Sequence, residues 1–190
     1  MKKGTIIGIV IAAVVLILGI TLVGGYNDLV EKSENVENKY SDISVQLERR
    51  ADLIPNLIST VKGYMKHEEK VIESVTSARE NLVNAKSLTD KAKANEELTV
   101  SLNNLIALVE NYPDLKSNTN FINLSDELAG TENRIAASRK DYNNTVSEYN
   151  KAIKSFPKNI LAGMFNFEKK EYFEAKESAS EVPNVSFDED

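Results

Sequence analysis

The chain has 190 residues, no cysteine and no tryptophan, and 29 acidic residues against 23 basic ones give a net charge of −6. This length predicts one folded domain, and the lack of cysteine excludes a disulfide framework, a thiolate nucleophile, a Cys-built zinc site and a lipid-modified cysteine. Lys2 and Lys3 are the only charged side chains before Asp28, so the remainder carries about −8; that argues against nucleic acid or anionic lipid as a partner, since both need a basic footprint.

The N-terminal stretch MKKGTIIGIVIAAVVLILGITLVGGYND holds an uncharged apolar run from Thr5 to Val23. At about 1.5 Å per residue this run reaches nearly 30 Å as a helix, enough for the hydrocarbon core of a bilayer. A cleaved signal peptide is the rival reading. Its apolar region is usually about 7–15 residues with an A-x-A-like exit, and TLVGG is a poor exit. Residues 1–25 are therefore read as an uncleaved single-pass anchor that meets the cell membrane through residues 5–23. Lys2, Lys3 and the amino terminus favour the cytoplasm and place the domain outside, while Lys32 and Lys39 make the bias slight.

From Leu29 onward apolar residues recur at spacings of three and four, the stripe that a helix buries against its neighbours. The first run holds Leu29, Val36, Tyr40, Ile43 and Leu47. The second holds Leu57, Val61, Tyr64, Val71, Val75, Ala78 and Leu82, with Glu68 intruding on the seam. Leu98, Leu102, Leu105, Val109 and Tyr112 make the third. In the fourth, Phe121, Leu128, Ile135, Tyr142, Tyr149 and Phe156 fall seven residues apart. Pro55, Pro113 and Pro157 lie near the ends of these runs, where a proline stops or starts a helix. Pro55 is read as opening the second helix, with Asp52 as its cap. A Ser or Thr of AKSLTDKAKANEE enters the third, and ENYPDLKSNTNF is the loop before the fourth.

These runs predict an all-α fold: an N-terminal transmembrane helix, continued into an antiparallel up-and-down four-helix bundle over residues 26–174. Nothing at Tyr26–Asp28 forces a break except the Gly24-Gly25 pair. The segment SFPKNILAGMFNFEKKEYFEA is rich in large apolar residues. It is read as a short helix or extended piece capping the bundle, with a membrane-facing or partner-binding patch as the sharper alternative. Residues 175–190 form a polar, acidic and flexible tail.

No chemistry stands out. His67-Glu68-Glu69 lacks the second histidine of a zinc protease helix, because position 71 is valine and the chain has no other histidine. No serine sits in a nucleophile elbow, and no glycine-rich loop could cradle phosphate. The expectation is no catalytic, metal or cofactor site, and no enzyme. The remaining candidate is a polar cluster of Arg49, Arg50, Asp52, Asn56, Glu110, Asn111 and Asp114. Arg49 to Asn56 would turn the chain between the first two helices and tie this corner to the ENYPDL loop. Such arginines more often pair with acids on neighbouring helices, here Asp52, Glu110, Glu127 or Glu132, than bind a ligand.

The stretches YNDLV, QLERRADLIPNLISTVKGYMKHE, ENYPDLKSNTNFINLSDELAGTENRIAASRKDYNNTVSEYN and FPKNILAGMFNFEKKEYFE resemble the LemA family, in that order, over most of residues 26–174. The resemblance implies a bacterial single-pass membrane protein with an antiparallel four-helix domain and no known catalytic residues. Tyr40 stands where a tryptophan is expected, and either ring fills an aromatic position. The leading functional expectation is a membrane-tethered scaffold or adaptor that binds unidentified protein partners at the cell envelope. An extracytoplasmic sensor or ligand-binding module, with Glu68 and Tyr64 as its polar anchor, is one alternative. A self-assembling, membrane-organising protein driven by its heptad seams is the other.

Overall fold

The computed structural model describes residues 3–65 and 67–174; the acidic tail expected at 175–190 lies outside the described residues. Among the described residues every regular element is a helix: α1 Lys3–Lys62, α2 Glu69–Asn84, α3 Leu88–Val109, α4 Pro113–Lys116, α5 Thr119–Ala152 and α6 Lys158–Met164.

α1 runs for 60 residues and passes Gly24 and Gly25 without interruption. From Ile6 to Val23 its large apolar side chains are exposed. Among the described residues it is the one helix long and apolar enough to cross a membrane. α1 also overturns the expectation that Arg49–Asn56 is a turn. Pro55 lies inside the helix, and the chain turns only after α1 ends at Lys62, between Gly63 and Glu68. A proline at 55 has no N–H for the carbonyl of Ala51, four residues back. Arg79 of α2 supplies the missing donor, with its Nε 2.8 Å from that carbonyl. The helix survives its proline because a neighbouring side chain satisfies the freed acceptor. α2 is correspondingly short, at 16 residues.

Ser87 caps α3, its hydroxyl accepting from the Asp90 backbone N–H at 3.0 Å, as the Ser- and Thr-bearing linker predicts. Pro113 opens the single-turn α4 inside the expected loop.

The chain divides into two compact units, Met1–Ile43 with Ser138–Tyr172, and Ser44–Ala137 with the residues from Phe173. In the first, Leu29, Val36 and Ile43 of α1 and Tyr142, Val146 and Tyr149 of α5 are buried on their three-and-four spacings. Leu29, Ala152, Leu161 and Ala162 form one cluster, with Ile153 and Phe167 packed on it. A Cβ at Gly25 would stand 2.8 Å from Leu161 Cδ1, whereas at Gly24 nothing lies within 4 Å. Gly25 is thus where α6 rests on α1. Tyr40, at the position expected to hold a tryptophan, packs its ring 6.2 Å from that of Tyr142.

α6 ends on Asn166 in the left-handed region, φ 56°, and the Phe167 N–H donates back to the Ala162 carbonyl at 3.0 Å. This is a Schellman-type stop with asparagine in the place usually given to glycine. The chain beyond it is strapped to α5 by side chains. Tyr149 Oη donates to the Glu168 carbonyl and Tyr142 Oη to that of Glu171, both at 2.9 Å. The Asn150 amide exchanges two bonds of 2.9 Å with the Lys170 backbone. Burial, followed by the charge of Glu37, pushes the Tyr142 phenol up to about 12, so it remains a donor well above neutral pH.

Phe156, the last member of the seven-residue series, is 82% exposed rather than buried. α5 ends at Ala152, so the repeat outlives the helix that would have given it a common face.

In the second unit Leu57, Val61, Val75, Leu98, Leu105, Leu128 and Ile135 belong to the core. Side chains join its helices in pairs. Ser74 and Ser101 meet at 3.0 Å, and Asn81 Nδ2 donates to Glu97 at 3.4 Å, which sets α2 and α3 running oppositely. Arg49 to Glu127 and Arg134 to Gln46 set α5 against α1 in the same sense.

Candidate functional site: a polar corner

The predicted cluster separates into two groups. Arg49, Arg50, Asp52 and Asn56 sit along α1, and Glu110, Asn111 and Asp114 sit in the connection between α3 and α5. Arg49 is exposed and donates to Glu127 Oε1 at 2.6 Å; Arg134 reaches the same oxygen at 3.0 Å. Arg50 is 3% exposed, with its Nη1 2.6 Å from Asn95 Oδ1 and 2.5 Å from Glu132 Oε2. Burial lowers its pKa and the Glu132 charge opposes that, the expected balance for a guanidinium taken out of water beside one carboxylate. Both arginines therefore pair with acids on α5, and their contacts with the ENYPDL loop expected from the sequence are replaced by these. Asp52 and Asn56 are exposed on α1.

Glu110 pairs with Lys116 across the connection at 2.5 Å, and Asn111 and Asp114 point outward. What meets this connection is the turn after α1. Tyr112 Oη donates to Glu68 Oε1 at 2.9 Å, and Asn118 Nδ2 donates to Tyr64 Oη at 2.9 Å. The Asn118 carbonyl oxygen also accepts from the Phe121 N–H at 3.1 Å, which caps α5. Met65 is buried within this turn, 2% exposed, and its N–H donates to the Val61 carbonyl at 2.9 Å. The bond to Glu68, then burial and the Glu68 charge, raise the Tyr112 phenol above its ordinary value, so it stays a donor.

Tyr64, Glu68, Tyr112 and Asn118 are thus the residues that build the corner, and all four fall outside the predicted cluster. One signal was present: Glu68 interrupts an apolar seam, Tyr64 stands in the second stripe just before it, and Tyr112 closes the third. Tyrosine at the end of a stripe can bury its ring while its hydroxyl reaches a polar partner. Tyr64, Glu68, Tyr112 and Asn118 are joined to one another by these bonds, and the corner presents His67, Asn111 and Asp114 to solvent. Between α2 and α3 an open groove is lined by Ser74, Ser77, Asn81, Lys93 and Glu97. Among the described residues, no three His, Cys, Asp or Glu side chains gather to hold a metal ion.

The described residues define an all-helical protein whose long N-terminal helix carries an exposed apolar run and whose polar corner is joined by its own side chains. The LemA family model matches residues 39–187, and the chain belongs to that family. It is 28% identical to magnetosome protein MamQ 2 of Paramagnetospirillum magneticum, across 87% of this chain and 70% of that protein. Magnetosome protein MamQ of Magnetospirillum gryphiswaldense is 26% identical over the same shares. Protein LemA of Metamycoplasma hominis is also 26% identical, across 87% of this chain and 74% of its own length.

Proposed function

We propose that this LemA-family chain is a membrane-tethered scaffold or adaptor, without catalysis, that binds a protein partner at its polar corner on the outer side of the membrane. In this reading Thr5–Val23 span the bilayer, and α1, α2, α3 and α5 pack as an up-and-down four-helix bundle. The observation that carries it is the continuity of α1. One unbroken helix holds the exposed apolar run and leads into the turn whose Tyr64 and Glu68 fasten the corner. A corner cross-linked by its own hydrogen bonds is a firmer platform, and rigidity lowers the entropy lost on docking. Its exposed polar side chains suit the rim of a specific interface.

The sensor alternative loses its anchor, since Glu68 has its polar partner in Tyr112 of the same chain. The self-assembly alternative relied on the α5 seam, and Phe121, Leu128, Ile135, Tyr142 and Tyr149 are buried within the single chain.

The test is a photo-crosslinking amino acid placed at Asn111 and, separately, at the exposed Val100 of α3, in membranes of the native cell. A discrete adduct from Asn111 that disappears with Asp114→Lys, and does not form from Val100, supports a docking corner. Identical adducts from both positions, or none from Asn111, count against it.

A further inference from the structure

Phe156, Ile160, Met164 and Phe165 are 82%, 51%, 69% and 53% exposed. Elsewhere on the described surface outside the apolar run, large exposed apolar residues such as Val45, Val83 and Ile122 occur singly, which is ordinary for a soluble face. Four within ten residues are not ordinary, and a contiguous apolar patch marks something that covers it. Ile160 and Met164 stand one turn apart on one side of α6. Leu161 and Ala162 face the other way, into the cluster with Leu29 and Ala152.

The place of this patch identifies its occupant. α6 is fastened to the first turn of α1 beyond the apolar run. Leu161 rests at Gly25, Lys158 Nζ donates to Asp28 at 2.7 Å, and the Phe165 and Phe167 rings lie 4.8 and 5.8 Å from that of Tyr26. Val23 and Asp28 are only about 8 Å apart along the helix axis. Aromatic and apolar side chains at that level belong to the interfacial zone, where they enter the headgroup and acyl boundary by roughly 5–10 Å.

We infer that α6 and the residues flanking it, through Phe156, Ile160, Met164 and Phe165, lie on the membrane surface and insert those side chains into the lipid interface as a second, amphipathic contact beside the span. This inference rests on the reading of Thr5–Val23 as a span. The contact is apolar in origin. Lys158 is occupied by Asp28, and the remainder of the chain is acidic, so zwitterionic lipid is a sufficient surface and salt has little effect on it.

The chain has no cysteine, so single-cysteine labelling is unambiguous. The full chain is reconstituted in phosphatidylcholine vesicles with an environment-sensitive fluorophore on Ile160→Cys, Met164→Cys, Ile17→Cys or Val100→Cys. The quencher is a nitroxide lipid labelled near the headgroup end of its acyl chain. All four positions are exposed, and a second substitution, Gly163→Cys, places the label on α6 where no atom stands within 4 Å of the new Cβ. The expected result is that labels at 160 and 164 lose most of their emission, insensitive to salt, while that at 100 loses almost none. Quenching at Ile17→Cys without quenching at 160, 164 and 163 overturns the surface contact and leaves the span standing. No quenching at Ile17→Cys overturns the span reading and the contact with it. A blue-shifted but unquenched label at 160, the mark of a second copy on the patch, also overturns it, as does equal quenching at 100.

Discussion

Arg50 shows how a residue that reads as a ligand clamp can be a packing element. Its guanidinium is almost wholly buried, its Nε makes no hydrogen bond, and its charge is met by Asn95 and by Glu132, whose side chain is 38% exposed. Removing one partner of a buried pair leaves the other charge unpaired, which costs far more than the pair contributes over an apolar substitute. Glu132→Ala strands the buried cation and is expected to lower unfolding free energy by about 3 kcal/mol. Arg50→Met fills the space without charge and leaves Asn95 and the buried Glu132 Oε2 without their donor, but the 38% exposed Glu132 side chain can turn that oxygen to water, for a smaller loss of about 1–2 kcal/mol. Urea unfolding of both variants decides the matter. If Arg50→Met proves the more damaging of the two, the ion pair stabilises more than burial arguments allow. Nothing in the sequence distinguished Arg50 from Arg49. Adjacent helical positions differ by about 100° in direction, and only the neighbours decide which one goes inside.

At the scale of elements, the instructive case is the proline that fails to end a helix. Pro55 forfeits one hydrogen bond, and Arg79 replaces it from α2. The two residues should therefore be energetically coupled although 24 positions separate them in the chain. Arg79→Met is expected to cost about 1 kcal/mol in the native chain, the usual loss when a carbonyl acceptor goes unmet. In a Pro55→Ala background the new N–H takes the Ala51 carbonyl, and the same substitution should cost close to nothing; a double-mutant cycle by chemical denaturation measures the difference. An equal cost in both backgrounds would sink the idea. This coupling also explains what could be read beforehand. The spacing of Leu29, Val36 and Ile43, the α5 seam from Phe121 to Tyr149, and the Ser87 cap are local patterns, and each is present in the fold. The place of the first turn was not local. A proline signals a break on average, but a donor 24 residues away cancels that signal, while Gly63 marks the turn that does occur. The same reasoning covers Phe156, whose position in a repeat says nothing of where the helix beneath it stops. The corner follows the same rule: the loop after α3 is legible from its proline and capping residues, but the segment meeting it is the turn at Tyr64–Glu68 rather than Arg49–Asn56.

For the whole molecule, the decisive quantity is the side of the membrane on which the helices beyond Gly25 reside. Within the proposed reading, charge sets that side. Lys2 and Lys3 precede an apolar run that carries no charge at all, and moving two lysines across a bilayer is costly, so the amino terminus stays in the cytoplasm. Against this stand Lys32 and Lys39, diluted along two helical turns among Glu31, Glu34 and Glu37; acidic residues weigh little in such sorting, so the imbalance favouring an outside domain is small. A single cysteine at Val100, exposed on α3, reads the outcome directly. In intact cells a membrane-impermeant maleimide is expected to modify Val100→Cys to the same extent as it does after lysis. Modification only after lysis would place the helices in the cytoplasm and reverse the orientation. The polar corner would then be offered to cytoplasmic proteins, and the patch on α6 would face the inner leaflet. Substituting Lys2 and Lys3 by glutamine tests the cause separately: if those two charges set the orientation, the fraction of chains labelled from outside should fall, and an unchanged fraction would assign the orientation to the domain itself.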